Sequence, residues 1–134
     1  MDLNETLQMK YEEFEADLRR LDQLINELEL WSDEFTVNHK KEEVRLPEYM
    51  EINQNFEEHK QNLVAQMNEL SQEEVLKEKM NEAREYVAQR LADYQQTEEV
   101  IHDWIRAIKN PYMLLNNTSA LQKYREYIES IINA

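Results

Sequence analysis

One motif in the sequence has the spacing of a metal-binding pair: Glu99 and His102 stand three residues apart in a helical context. Residues three apart share one face of a helix, and di-iron four-helix bundles use this Glu-x-x-His spacing. Such a centre needs two motifs of this kind and two further glutamates. Neither His39 nor His59 follows a Glu at that distance, and a chain with 29 acidic residues produces one match by chance. We therefore predict no metal site and no cofactor.

Acid–base catalysis would need two carboxylates that face each other, and nucleophilic catalysis would need an activated Ser or Cys. The acidic pairs are adjacent in sequence, and neighbours on a helix point about 100° apart, so each pair predicts a solvated face. Examples of such pairs are Glu12-Glu13, Glu42-Glu43, Glu73-Glu74 and Glu98-Glu99. The serines stand in no recognisable nucleophile motif, the absence of Cys excludes thiolate chemistry, and the absence of Gly excludes phosphate-binding loops. We expect no enzymatic activity and no catalytic residues.

The charge of the chain narrows the class of partner. The 134 residues carry a net charge of −14, which repels phosphate backbones and anionic membrane surfaces. No stretch approaches the roughly 18 apolar residues of a membrane span, and the first residues do not resemble a signal peptide. We expect a single domain over residues 1–134 that is cytoplasmic and binds neither nucleic acid nor membranes directly.

The elements that position these side chains are helices throughout. Apolar residues recur at alternating steps of four and three along the first helix, at Leu7, Tyr11, Phe14, Leu18, Leu21, Ile25, Leu28 and Phe35. A strict seven-residue repeat keeps one stripe facing a partner helix. Leu24 and Trp31 widen this stripe, which predicts contact with more than one neighbouring helix and favours a bundle over a two-stranded coil.

Helix boundaries follow from proline and capping signals. Pro47 suits the first turn of the second helix, and Ser71 with Glu74 has the spacing of a capping box that opens the third. Pro111 ends the third helix, and Thr118 is a plausible cap for the fourth. The predicted helices cover about residues 3–36, 48–70, 72–109 and 118–133. We expect an all-α, elongated antiparallel bundle of two long and two shorter helices, with coiled-coil-like heptad packing.

The predicted core joins the two long helices, which we expect to be antiparallel. Its expected members are Phe14, Leu21, Trp31, Ile101 and Trp104. Arg90 and Thr97 occupy stripe positions in the third helix, which predicts a looser core there. His59 falls on the stripe of the second helix and is predicted at the core boundary, with one ring nitrogen solvated or hydrogen bonded.

The two tryptophans resemble the pattern of a known family. Trp31 and Trp104 stand 73 residues apart on the first and third predicted helices. This spacing resembles the spectrin repeat, a three-helix bundle with a Trp on its first and third helices. The resemblance covers about residues 14–110 and implies a structural scaffold. The sequence departs from the pattern at Leu70-Ser71, where the chain breaks too early for the second turn of that repeat, and in having a fourth helix.

The leading functional hypothesis is a non-catalytic protein–protein interaction module: an adaptor, an assembly factor or a chaperone-like protein that acts through apolar helix stripes. Two helices longer than their neighbours are expected to leave part of a stripe for a partner, either another protein or a second copy in a dimer. Aromatic and Met side chains mark the carboxy-terminal end as the partner-binding surface. Its predicted residues are Tyr112, Met113, Leu114, Leu115, Tyr124, Tyr127 and Ile132.

A second hypothesis belongs to another class: an acidic inhibitor that imitates nucleic acid in a basic groove of its target. Carboxylates along the first helix would stand in for phosphates, and the candidates are Glu12, Glu15, Asp22, Glu29 and Asp33. Salt separates the two classes, because an apolar contact should persist in 0.5 M salt whereas a phosphate mimic should lose most of its affinity.

Overall fold

A computed structural model describes residues 4–38, 46–107 and 121–134, and every regular element within them is helical. The elements in chain order are α1 (Glu5–Asn38), α2 (Leu46–Leu70), a single 3-10 turn (Glu74–Leu76), α3 (Lys77–Ala107) and α4 (Leu121–Ile132). The all-α prediction is confirmed. The prediction of two long and two shorter helices also agrees with the lengths of 34, 25, 31 and 12 residues.

The chain turns between α2 and α3 without the predicted capping box. Ser71 Oγ donates to the Asn68 carbonyl at 2.9 Å, and the residue that caps the 3-10 turn is Glu73, which makes no side-chain capping bond. The Ser71 amide also bonds back to Met67, at 3.0 Å. Ser71 therefore closes the end of α2, and α3 begins at Lys77, five residues later than expected. Pro47 does lie in the first turn of α2, where its missing amide costs nothing.

The wide stripe of α1 is covered within the chain. From Phe14 to Phe35 every stripe position is buried except Leu18, which is half-buried. Leu24 and Trp31 are buried as well, so the widening of the stripe is confirmed, with α2 and α3 both packed against α1. The expectation that part of a long stripe stays open for a partner is wrong over this range, because the broad stripe has a neighbour on each side.

Contacts between α1 and α2 give their relative direction. Lys10 near the start of α1 pairs with Glu69 at the end of α2 at 2.7 Å, and Asp17 further along α1 contacts His59. Along these contacts the residue numbers rise in α1 and fall in α2, so the two helices run in opposite directions.

The two long helices run in the same direction, which corrects the prediction that they are antiparallel. Lys79 early in α3 contacts Tyr11 early in α1, and Arg90 pairs with Asp22 further along both helices. The physical reason is the number of turns, since two successive reversals of the chain restore its original direction.

A polar network fills the middle of α3 where a looser core was predicted. The Arg90 guanidinium bonds to Asp22 of α1 and to Asp93 of its own helix, both at 2.9 Å. Thr97 Oγ1 donates to the Asp93 carbonyl at 3.2 Å. The two interruptions of the stripe are therefore occupied by paired polar groups.

The two tryptophans lie in different environments. Trp31 is buried and stacks on Phe35, with ring centroids 5.0 Å apart. Trp104 is 38% exposed, whereas the next residue, Ile105, is fully buried, so placing Trp104 in the shared core was wrong. After Ile101 the buried stripe advances by four residues and not by three, and at 3.6 residues per turn this choice rotates the buried face by about 100°. The spectrin-like pattern of one Trp on each of two helices therefore has no matching burial here.

We expect the α1 stripe to dominate stability. Replacing Leu21 or Leu28, both fully buried, by Ala should lower the free energy of unfolding by about 2–5 kcal/mol through lost burial and a residual cavity. Leu30→Ala is the matched control, because Leu30 lies on the same helix with 65% of its side chain exposed and should change that free energy by less than about 0.5 kcal/mol. Urea unfolding followed by circular dichroism measures both, and equal effects at buried and exposed positions would contradict this core.

Candidate functional site

A cluster of polar side chains lies where α2, α3 and α4 meet. Its members, here called the tyrosine cluster, are Tyr49, Glu98, His102 and Tyr127. Tyr49 comes from the first turn of α2 and is fully buried, while the other three are half-buried. Each polar residue adjoins an apolar stripe of its own helix, so the packing that buries the stripe also draws these groups inward.

The hydroxyl of Tyr49 is the centre of the cluster. It donates to Glu98 Oε2 at 3.1 Å and lies 3.2 Å from His102 Nε2. The Tyr127 hydroxyl lies 3.4 Å from the same nitrogen. A hydroxyl has a single proton, so while Tyr49 donates to a carboxylate it can only accept from His102. The protonation states of Glu98 and His102 are thereby linked through one hydroxyl group.

Burial shifts the protonation equilibria of the cluster. It raises the pKa of Tyr49 far above that of a free tyrosine and raises the pKa of Tyr127 to about 12, so both hydroxyls stay protonated at physiological pH. Burial also raises the pKa of Glu98, although the bond from Tyr49 partly opposes this. It lowers the pKa of His102, and the nearby positive charge of Arg106 lowers it further.

The cluster is arranged to hold helices together. Its hydrogen bonds join α2 to α3 and α3 to α4, and Tyr49 and Tyr127 also contact through their rings, with centroids 6.0 Å apart. Over residues 4–38, 46–107 and 121–134, no three His, Asp or Glu side chains are placed to hold a metal ion. The Glu99–His102 motif accordingly contributes its histidine to the tyrosine cluster.

Glu98 departs from the prediction that adjacent acidic pairs are solvated. Glu99 is exposed as expected, but Glu98 turns toward Tyr49 and is half-buried. The pairs at positions 12–13 and 73–74 are exposed, and the pair at 42–43 lies outside the described residues. Sequence spacing did predict that adjacent carboxylates diverge, but it could not tell that one of them faces a buried tyrosine.

The prediction for His59 is confirmed. Its ring is half-buried, and Nε2 lies 2.7 Å from the Asp17 carbonyl. Because a carbonyl only accepts, Nε2 carries a hydrogen and donates it. His59 therefore links α2 to the backbone of α1 at the core boundary.

Of the predicted partner-binding residues, the structure describes the side chains of Tyr127 and Ile132. Tyr112, Met113, Leu114 and Leu115 lie outside the described residues, as does the side chain of Tyr124. Tyr127 belongs to the tyrosine cluster and is half-buried, so the expectation that it lies on the surface beside the α4 stripe was wrong. Its hydroxyl and ring face α2 and α3. Ile132 is 42% exposed, as that prediction requires.

The five carboxylates of α1 that were proposed as phosphate substitutes are not all exposed. The side chains of Glu12, Glu15, Glu29 and Asp33 are exposed. Asp22 is half-buried and accepts hydrogen bonds from Tyr86, at 2.6 and 2.8 Å, and from Arg90. One of the five proposed phosphate substitutes is thus matched by a cation inside the fold, which corrects its placement on a solvated face.

A surface groove runs between α1 and α3 on the side of α3 away from α4. It has a volume of about 350 Å³, opens to solvent, and is lined by Glu29, Ser32, Asp33, Asp93, Gln96, Thr97 and Val100. Val100 is 42% exposed, and Trp104 follows it one turn later on the same face of α3. Sequence reasoning missed this surface because it assigned Trp104 to the core, although Ile105 beside it offered an alternative stripe position.

Comparisons with protein-family models, with curated proteins and with solved structures found no match to this chain. Among the described helices, none is both long enough and apolar enough to cross a membrane.

The lowered pKa of His102 predicts acid sensitivity. The folded state favours the neutral ring, so the unfolded chain takes up more protons and the free energy of unfolding falls as the pH drops through the ordinary histidine value near 6.5. His102→Gln should lose less stability than the wild type between pH 7.5 and 5.5, as measured by urea unfolding at each pH. Parallel pH profiles of the two proteins would contradict the burial of His102.

The raised pKa of Glu98 predicts that acid affects the free energy of unfolding in the direction opposite to that expected from His102. The folded state favours the protonated carboxyl, so the charged form costs stability at neutral pH and this cost disappears as the pH falls through the raised value. Glu98→Gln should therefore increase the free energy of unfolding at pH 7, with a smaller gain in acid. Glu85→Gln is the matched control at an exposed position of the same helix and should leave the pH profile unchanged. A destabilised Glu98→Gln protein at pH 7 would show that the carboxylate is favoured in place.

Proposed function

We propose that this chain is a non-catalytic protein–protein interaction module, in the manner of an adaptor, an assembly factor or a chaperone-like protein. The observation that carries the proposal is the exposure of Val100 and Trp104 on one face of α3, here called the α3 patch. We take the four helices as one elongated bundle with coiled-coil-like packing, in which α2 runs against α1 and α3. This bundle presents the α3 patch as a rigid surface.

The α3 patch lies beside the buried stripe of α3. Ile101 and Ile105 already supply buried contacts over the same two turns of α3. A tryptophan at a surface offers a large contact area, and tryptophan is enriched among the residues that dominate binding energy at protein interfaces. With Val100 one turn away, the α3 patch can bury two apolar side chains against a single partner element. These properties support a role in recognition.

The rest of the predicted partner surface stays a prediction. Ile132 is exposed at the end of α4, and the segment from Tyr112 to Leu115 lies outside the described residues. The stripe of α1, which first suggested a partner, is covered by α2 and α3. We therefore centre the proposal on the α3 patch.

Mimicry of nucleic acid is the alternative that the exposed carboxylates of α1 favour. Against it, Asp22 is paired with Arg90 inside the fold, which leaves a gap in the row. Binding through the α3 patch should persist in 0.5 M salt, whereas a phosphate mimic should lose most of its affinity for a basic groove.

Site-specific photo-cross-linking tests the proposal in living cells. We expect p-benzoylphenylalanine at position 100 to cross-link one defined protein, and the same group at position 30 to yield no such product, because Leu30 is exposed on α1 without an apolar neighbour one turn away. The partner, once purified, should bind the wild type, and Trp104→Glu should weaken binding by at least about thirtyfold, the effect of a hot-spot residue.

Two further outcomes are informative. A product between two copies of this chain would also support an interaction module, with self-association as its mode. Identical products from positions 100 and 30, or none from either, would contradict the proposal. Circular dichroism of Trp104→Glu provides the control for folding, which we expect to be unchanged because the side chain lies at the surface.

A further inference from the structure

Tyr49 joins Glu98 and His102 into a row of three hydrogen-bonding groups. Its hydroxyl lies 3.1 Å from Glu98 Oε2 and 3.2 Å from His102 Nε2, and the tyrosine is fully buried. A hydroxyl can accept one hydrogen while it donates another. Groups in such a row can therefore pass a proton from one end to the other without leaving their positions.

The row has a defined direction while Glu98 is ionised. A carboxylate only accepts, so Tyr49 donates to Glu98 and its oxygen accepts from His102 Nε2. Nε2 then carries the hydrogen of the neutral ring, and Nδ1 carries none. Nδ1 makes no hydrogen bond to the described residues and is not among the fully buried unpaired atoms, so it is open to a proton from water.

We infer that Glu98, Tyr49 and His102 form a proton relay that takes up one proton from water and stores it on Glu98. The proton binds at His102 Nδ1, Nε2 passes its hydrogen to the Tyr49 oxygen, and Tyr49 passes its own hydrogen to Glu98 Oε2. The hydrogen bonds of the row are then reversed, with the Glu98 carboxyl donating to Tyr49 and Tyr49 donating to the bare Nε2. The row gains one proton, Glu98 loses its charge, and His102 is neutral before and after.

Burial favours Glu98 over His102 as the final site of the proton. A carboxylate beside an imidazolium would place two charges in a half-buried cluster, whereas a protonated Glu98 beside a neutral His102 places none there. The pKa of each group is displaced in the corresponding direction, because burial raises that of Glu98 and lowers that of His102. The relay therefore ends with both groups uncharged.

The neighbours of Glu98 also favour its protonated form. The closest charges come from α2, where the carboxylate of Glu57 opposes ionisation of Glu98 and has a larger effect than Lys60, which favours it. Tyr94 of α3 lies near enough for the charge of Glu98 to raise its pKa, so it stays neutral. From α1, the ring that packs on the central tyrosine belongs to Trp31, which does not titrate.

The neighbours of His102 likewise favour the neutral ring. The cation of Arg106 opposes protonation, and it has the largest effect among the nearby charges. Asp103 and Glu99 have smaller effects of opposite sign. From α4, the Tyr127 hydroxyl lies 3.4 Å from Nε2, and a hydroxyl accepts from an N–H or donates to a bare nitrogen. Proton uptake therefore requires no displacement of α4.

The relay joins two titrations into one. Because one proton is shared along the row, the apparent pKa belongs to the row and not to Glu98 or His102 alone. Above that pH the ring hydrogen of His102 lies on Nε2, and below it on Nδ1, while the ring stays neutral. The tyrosine cluster thus responds to a fall in pH by a change of tautomer, a property that does not depend on the proposed function.

Side-chain NMR of the full chain tests the relay. Two-bond ¹H–¹⁵N spectra distinguish the two neutral tautomers of histidine from each other and from the imidazolium. As the pH falls from about 7.5 to about 5, His102 should pass from the Nε2–H to the Nδ1–H tautomer, and the Glu98 carboxyl ¹³C signal should shift at the same pH. His59 is the internal reference, because its Nε2 donates to the Asp17 carbonyl and it should pass directly to the imidazolium.

Two Tyr→Phe variants separate the relay from burial alone. Tyr49→Phe keeps the buried ring and removes the bridging hydroxyl, so His102 should pass directly to the imidazolium and Glu98 should titrate at a different pH. Tyr86→Phe is the control, because it removes a hydroxyl elsewhere on α3 that bonds to Asp22, and it should leave the titration of His102 as in the wild type. Circular dichroism checks that both variants fold.

Three results would overturn the relay. These are direct passage of wild-type His102 to the imidazolium, a Glu98 signal that shifts at a different pH from His102, and the same titration in the wild type and in Tyr49→Phe. The first would show that the proton stays on His102 beside an ionised Glu98. If Tyr49→Phe does not fold, the wild-type spectra decide, because they report the tautomer without any substitution.

Discussion

Coverage of the broad apolar stripe on α1 is the constraint on which the structure depends. A stripe widened by Leu24 and Trp31 exposes apolar surface in two directions, so a single neighbouring helix would leave half of it in water. α2 and α3 cover it from opposite sides, and the two reversals of the chain that bring them there leave α1 and α3 running in the same direction. The burial of Phe14, Leu21 and Leu28 is the energetic consequence.

Polar contacts then select one arrangement among those that would cover the stripe. Burial of a polar group is costly unless it finds a partner, so Arg90 must face its carboxylates, and the hydroxyl of Tyr49 must face Glu98 and His102. A shift of either helix by one turn would leave these groups unpaired. Among the described buried side chains, Trp31 Nε1 and Gln66 Oε1 make no hydrogen bond, and for Trp31 stacking on Phe35 provides a compensating contact.

Local patterns predicted the helices well because apolar periodicity and proline act within a few residues of the element that they define. Capping was less predictable, since the Ser71 hydroxyl could accept from an amide of the following helix or donate to a carbonyl of the preceding one, and it donates to the Asn68 carbonyl. The tyrosine cluster could not be predicted, because Tyr49 and His102 are separated by 53 residues and their meeting depends on tertiary packing. The exposure of Trp104 likewise depends on tertiary packing, because the neighbouring Ile105 is the residue that becomes buried.

The tyrosine cluster and the α3 patch lie on different sides of α3. His102 faces Tyr49 and Tyr127, whereas Trp104, two residues later, points about 200° away around the helix and continues the face of Val100 beside α1. The face of α3 that packs on α4 is therefore not the face that carries Trp104. Protonation of His102 would place a positive charge in the half-buried tyrosine cluster, on the side of α3 away from the α3 patch. The tyrosine cluster, which sets the response to acid, and the exposed α3 patch thus occupy separate sides of one helix, and each can be altered by substitution without direct loss of the other.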